Sequence, residues 1–254
     1  MSESRVVVET PDGPMEGYFA LPGREGRFPA VLVAQEAFGV NGHIESVCRR
    51  LAERGYAAFA PELYHRQGSG IALDYSNFDG VRPYLGALTN EGLESDLASA
   101  MSFLDAHPAI DPARIGIVGF CVGGYVSYFA ACRTHVSAAV CFYGGGIVTP
   151  RAKSRLSALL GESERIRCPV LGLFGEDDAS IPLSDVEAIR SRLTELGKEH
   201  EIVAYPRAGH AFFCEQRPSF RPEIAADAWK RTLDWLGRFL GAPSGRQKSA
   251  AGIG

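Results

Sequence analysis

The run Gly119-Phe120-Cys121-Val122-Gly123-Gly124 sets a thiol between two glycines, one two residues before it and one two residues after. This is the spacing of a nucleophile elbow with sulfur in place of oxygen. Such a strand-to-helix turn is so tight that the residues at those two places crowd the nucleophile, and a side chain at either would clash. The turn also leaves Cys121 at a helix N-terminus, where the helix dipole favours thiolate. The G-x-G-x-x-G spacing of a dinucleotide loop is not present in this run.

A thiol nucleophile needs a base, and the base needs an orienting group. Enzymes with this elbow present the groups in the chain order nucleophile, acid, histidine. An apolar run at Val170–Gly175 is followed by Glu176-Asp177-Asp178 and then Ile181-Pro182; another at 201–205 is followed by Ala208-Gly209-His210. Cys121, Asp178 and His210 stand in the expected order. Asp177 is the rival acid; Asp178 is preferred because a strand-end turn running into Ile-Pro matches the acid loop of such enzymes. The chemistry would be attack of a thiolate on a carbonyl, with His210 as base and Asp178 holding it.

These residues need elements that carry them to one place. Two β-prone runs, 5–10 and 15–20, flank Pro11-Asp12-Gly13-Pro14, a turn sequence, and predict a hairpin. The continuous apolar runs at 29–34, 56–61, 115–119, 138–143, Val170–Gly175 and 201–205 predict strands buried on both faces. Helical spacing of apolar residues appears over 44–54, 93–104, 123–133, 186–196 and 223–240, with Pro182 placed as a first helical residue. Alternating strands and helices predict an α/β fold with a mostly parallel sheet, helices on both faces and an antiparallel N-terminal hairpin. Active sites of such sheets lie beyond the carboxyl ends of the strands, where Cys121, Asp178 and His210 all fall. Residues 62–90 are long and irregular and are placed to form a lid or pocket wall. Residues 1–240 read as a single domain, and 241–254 as a disordered tail.

The whole-chain numbers bound what this site can serve. Of 254 residues, 46 % are hydrophobic and 22 % charged, an ordinary globular composition. The 26 Lys and Arg against 30 Asp and Glu give a net charge of −4, without the basic excess of a nucleic-acid binder. No stretch approaches a membrane span, and the first residues carry no signal pattern. Six cysteines at this length do not make a disulfide scaffold, and they predict a reducing, cytoplasmic compartment with free thiols. His210 and Cys214, four residues apart, lack further ligands around them, so no metal is expected. Gly197-Lys198 is followed by Glu199 and makes no phosphate loop, and no cofactor is implied.

Taken with the elbow, further stretches point to a family. Gln35-Glu36-Ala37-Phe38-Gly39-Val40-Asn41, Gly55-Tyr56-Ala57-Ala58 with Pro61-Glu62-Leu63-Tyr64, the Asp178 loop, the Ala208-Gly209-His210 turn and Arg231-Thr232-Leu233 resemble the dienelactone hydrolase family of cysteine-dependent α/β-hydrolases. The resemblance spans about residues 5–240 and implies a hydrolase fold, a small lactone or ester as substrate, and no cofactor. It gives Glu36 the task of holding the resting thiol's proton and gating its activation. It places the oxyanion donors at the backbone N–H groups of Val122 and Ala37. Family members bind a substrate carboxylate with arginines, one of them four residues after the catalytic histidine; here that position is Cys214, so one anchor is gone. Arg82 is the candidate for the other. Phe38, Tyr84, Tyr143 and Phe212 are candidate pocket walls. The expectation is a hydrolase working through a thioester acyl-enzyme, with two alternatives: an acyltransferase on the same triad, and a non-catalytic ligand-binding protein of the same fold. The oligomeric state is not set by the sequence.

Overall fold

The computed structural model describes residues 1–241, so the expected tail lies, apart from Gly241, outside the described residues. The chain opens with the hairpin β1 (Ser2–Thr10) and β2 (Gly13–Leu21), turning at Gly13 with φ 114°. There follow β3 (Phe28–Ala34), α1 (Gly42–Glu53), β4 (Ala57–Pro61), α2 (Phe78–Ala87) and α3 (Asn90–Ala106). The second half runs β5 (Ile110–Phe120), α4 (Val122–Arg133), β6 (Ala138–Phe142), β7 (Val170–Gly175), α5 (Leu183–Glu195), β8 (His200–Tyr205) and α6 (Pro222–Leu240).

Among the described residues the strands form one eight-stranded sheet in the order β1-β2-β4-β3-β5-β6-β7-β8. The pairs β1/β2 and β2/β4 are antiparallel and all the others parallel. Every residue of β3, β4, β6 and β7 is buried, as expected for strands covered on both faces. Helix α1 packs on β2, β3 and β4, and Arg50 reaches from it over the Trp229 ring of α6, so these two helices share a face. Helices α3 and α4 pack together on the other face, with α5 joined to α4 through a short 3₁₀ turn at Leu160–Arg165.

Strand β1 starts three residues earlier than expected, and β8, expected to be buried on both faces, is half-buried because it lies at the sheet edge. Strand β5 begins at Ile110, because Phe28 pairs with Ile110 and Ala30 with Ile115, leaving the exposed polar stretch between them as an irregularity on the sheet. Pro182 caps α5 and does not enter it; its ψ of 147° is extended. The segment 62–90 is not structureless: it holds a 3₁₀ turn at His65–Gln67 and then α2, which carries Pro83 inside it and is capped by the Asn77 side chain accepting from the Gly80 N–H. No helix among the described residues is long and apolar enough to cross a membrane.

Candidate active site

Strand β5 ends at Phe120 and α4 begins at Val122, so Cys121 is the whole of the turn between them. Its backbone sits at φ 57° and ψ −116°, a region that L-residues seldom adopt and that occurs where surrounding structure enforces it. The enforcement is visible. The Cys121 N–H donates to the Phe142 carbonyl at the end of β6 (3.1 Å). A Cβ on Gly119 would run into the Gly123 carbonyl, and one on Gly123 into the Ala34 and Gln35 carbonyls. Both glycines are therefore required by close approach of backbone. Gly124 meets Gly144 in the same way, which brings the loop after β6 against the head of α4.

The loops after β7 and β8 bring the acid and the histidine to this point. His210 Nδ1 donates to Asp178 Oδ2 at 2.6 Å. The Ser180 N–H and hydroxyl both donate to Asp178 Oδ1, at 2.9 and 2.7 Å, so three donors hold the carboxylate. Burial raises the Asp178 pKa, but the His210 hydrogen bond and charge, with Ser180, outweigh it and hold the carboxyl below its usual range. Asp177 is exposed and its N–H is bonded to the Ala208 carbonyl; the structure brings Asp178 to the imidazole and leaves Asp177 outside.

The half-buried Cys121 thiol lies within hydrogen-bonding reach of His210. Burial pushes the thiol up and the nearby Glu36 carboxylate pushes it further. The His210 charge and hydrogen bond and the Arg151 charge pull the other way and prevail, so the thiol is lowered. Burial also lowers the imidazole, but the sulfur charge and the Asp178 bond reverse this and raise it. The two shifts point to one state, a thiolate beside an imidazolium.

Glu36 is fully buried, following β3. It accepts from the Tyr143 hydroxyl at 3.3 Å through Oε1. Burial raises its pKa most; the Arg217 and His210 charges, the nearby Tyr75 hydroxyl and the Tyr143 hydrogen bond oppose this without cancelling it. Glu36 is thus biased toward its protonated form, in which it can face the thiolate without repelling it. Tyr143, at φ 38°, also lays its ring 5.1 Å from that of His210.

The two expected backbone donors lie at the head of α4 and in the loop after β3. Val122 is the first residue of α4, where a helix offers its N–H no internal acceptor. The Ala37 N–H lies in the loop after β3, where three successive carbonyls are engaged: Glu36 with the Gly39 N–H (3.3 Å), Ala37 with the Tyr64 hydroxyl (2.9 Å) and Phe38 with the Leu73 N–H (2.9 Å). Among the described residues neither N–H is bonded to another backbone carbonyl outside regular elements or to a side chain.

The other sequence candidates fall in different places. Phe38 is buried in a small cluster with Ala37 and Val81, its ring 4.6 Å from that of Tyr75. Tyr84 leans on Tyr64 at 5.3 Å. Phe212 is wholly buried behind Tyr143 and Tyr205 and belongs to the core. The Arg82 side chain is 68 % exposed and pairs with Asp79 one turn earlier, because α2 turns its apolar Val81 and Leu85 inward and Arg82 outward. Cys214 is buried beside Tyr75. Sequence reasoning missed Tyr75, Arg151, Arg217 and Ser180. Ser180 follows Asp178 by two residues, a local acceptor–donor spacing that could have been seen; the other three reach the site across the fold and carry no local signal. No group of three or more His, Cys, Asp or Glu among the described residues is placed to hold a metal ion.

A model of the dienelactone hydrolase family matches residues 15–240. A Methylorubrum extorquens protein provisionally named carboxymethylenebutenolidase is 38 % identical over 244 residues, covering 92 % of this chain and 80 % of the relative. A Synechocystis protein of the same provisional name is 38 % identical over 218 residues, covering 85 % and 88 %. The crystal structure of a Klebsiella pneumoniae protein, provisionally a dienelactone hydrolase, superposes with a TM-score of 0.86 at 35 % identity, covering 94 % of this chain and 99 % of the other.

Proposed function

Since the chain belongs to the dienelactone hydrolase family and is a hydrolase, we propose that it cleaves a small lactone or ester through a Cys121-His210-Asp178 triad and a thioester acyl-enzyme. The observation that carries this reading is geometric: Cys121 alone makes the turn into α4, within hydrogen-bonding reach of an imidazole that Asp178 holds at 2.6 Å.

The thiolate attacks the substrate carbonyl, and the resulting oxyanion is met by the N–H groups of Val122 and Ala37. The His210 imidazolium gives its proton to the departing alkoxide as the C–O bond breaks, leaving the acyl group on sulfur. A water then attacks the thioester while neutral His210 takes its proton, and the carboxylic acid departs as the C–S bond breaks. Glu36, biased toward its protonated form by burial, acts as a local proton store whose state decides whether a thiolate is tolerated beside it. Residues 1–240 act as one hydrolase unit, and 62–90 forms a wall of the site through Tyr64, Leu73 and Tyr75. A thiol nucleophile persists in a reducing compartment, which supports a cytoplasmic location.

Replacing Cys121 by Ala should lower turnover of p-nitrophenyl acetate at least ~10³-fold while leaving the far-UV spectrum and melting behaviour unchanged. A variant with more than a tenth of the parent rate would overturn the assignment of the nucleophile. Product analysis with an added alcohol separates hydrolysis from acyl transfer: ester product exceeding acid would move the reading to an acyltransferase.

A further inference from the structure

In the loop that carries the Ala37 N–H, Val40 joins the main core but Ala37 and Phe38 do not. Ala37 and Phe38 form a separate apolar cluster with Val81, and Leu73, Tyr75 and Leu85 lie against it. All of these partners come from one segment, 71–85. The same segment bonds the loop's backbone: the Leu73 N–H donates to the Phe38 carbonyl at 2.9 Å, and Gly39 pairs with Ala72 in an isolated antiparallel bridge. Gly39, at φ 82°, lies so close to the Ile71 carbonyl that a Cβ there would overlap it. From the far side of the site, the Arg217 guanidinium sits over the Phe38 and Tyr75 rings at once, 5.5 and 5.7 Å from their centroids.

A peptide unit is planar and trans, so binding its carbonyl fixes the direction of the N–H opposite. The Glu36 carbonyl is held by Gly39, the Ala37 carbonyl by Tyr64, and the Phe38 carbonyl by Leu73. The peptide planes on both sides of Ala37 are thereby set, and the Ala37 N–H points along a line it did not choose. A donor serves an oxyanion only when it is already aimed at the place where charge develops, and misplacement by ~1 Å can cost ~10²-fold in rate.

Building on the proposed acyl chemistry, we propose that segment 71–85 and Arg217 form a clamp that aims the Ala37 N–H at the oxyanion, with Tyr75 and Arg217 as positioning residues. Neither touches the reacting atoms. Tyr75 packs its ring against Phe38 at an interplanar angle of 60° and closes one side; Arg217 lies over both rings, a cation held by two π faces.

The clamp can be separated from the thiol by comparing two reactions of the same sulfur. Hydrolysis of p-nitrophenyl acetate passes through an oxyanion. Alkylation of Cys121 by iodoacetamide needs the thiolate but forms no oxyanion. Tyr75→Ala should lower kcat/KM for the ester at least ~10-fold while the alkylation rate stays within ~3-fold of the parent. Tyr75→Phe keeps the ring and loses only the hydroxyl near Glu36, and should restore the ratio of the two rates to within ~3-fold of the parent. Arg217→Met, which keeps an alkyl stem without the cation, should lower the same ratio ~3-fold or more, and carries the test alone if Tyr75→Ala does not fold. The clamp is overturned if the ratio is unchanged in both Tyr75→Ala and Arg217→Met, or if ester hydrolysis and alkylation fall together, or if Tyr75→Phe falls as far as Tyr75→Ala. Retained turnover in Cys121→Ala would instead remove the acyl-enzyme reading beneath it, so the two failures are told apart.

Discussion

A thiolate and an imidazolium stabilise each other only while both are charged, and this sets where Cys121 can react. The thiol is lowered and His210 raised, so the charged pair exists from below the ordinary cysteine value of ~8.5 up to the raised imidazole value. The second-order rate of Cys121 alkylation by iodoacetamide should accordingly reach half its plateau below pH ~8.5. In His210→Asn the opposing charge is gone, burial and Glu36 act unopposed by it, and the half-point should move above that of free cysteine. An unchanged half-point would show that His210 does not set the thiol. Cys121, Asp178 and His210 were legible in the sequence as candidates because each lies in a turn that follows the carboxyl end of a strand. Arg82 was not: its segment offered no periodic pattern from which to tell that Val81 and Leu85 face inward and Arg82 outward. Arg217 and Tyr75 were also illegible, since a contact between rings and a guanidinium from three separate loops leaves no trace in local spacing.

The elements follow the sequence wherever burial is complete. The runs that became β3, β4, β6 and β7 are apolar without interruption because both sheet faces are covered, and a reading by apolar continuity finds them within a residue or two. Helix α2 escaped because Pro83, Gly80 and Gly86 weaken its intrinsic preference, and it docks Val81 against Ala37 and Phe38 of the loop after β3. At the elbow, by contrast, sequence and geometry agree for a steric reason. Gly123→Ala would push a methyl into the carbonyls of Ala34 and Gln35, at the junction of β3 and the oxyanion loop. That substitution should cost about 1–3 kcal/mol or more in a urea unfolding midpoint. Gly161→Ala, where the added methyl meets nothing, should stay within ~0.5 kcal/mol of the parent. Equal effects at the two positions would refute the crowding argument.

At the scale of the molecule the fold sorts six thiols into two kinds. Cys48, Cys132, Cys141, Cys168 and Cys214 are buried, and burial pushes all five up, Cys132 and Cys168 to about 12 and Cys214 to about 11. Cys121 alone is lowered. Brief treatment of the native protein with iodoacetamide near neutral pH should therefore add one carboxamidomethyl group per chain, located at Cys121, whereas the same treatment in denaturant should reach all six cysteines. Intact-mass spectrometry reads both; two or more rapid adducts on the native chain would contradict the sorting. The backbone of that one reactive residue has a wider consequence. Cys121 occupies a well at φ 57° that costs a side-chain-bearing residue on the order of 1–3 kcal/mol and costs a glycine far less. A lineage selected for robustness alone would drift to glycine there and lose the sulfur. On the chemistry proposed for Cys121, the elbow is thus a place where durability and activity are opposed within a single codon.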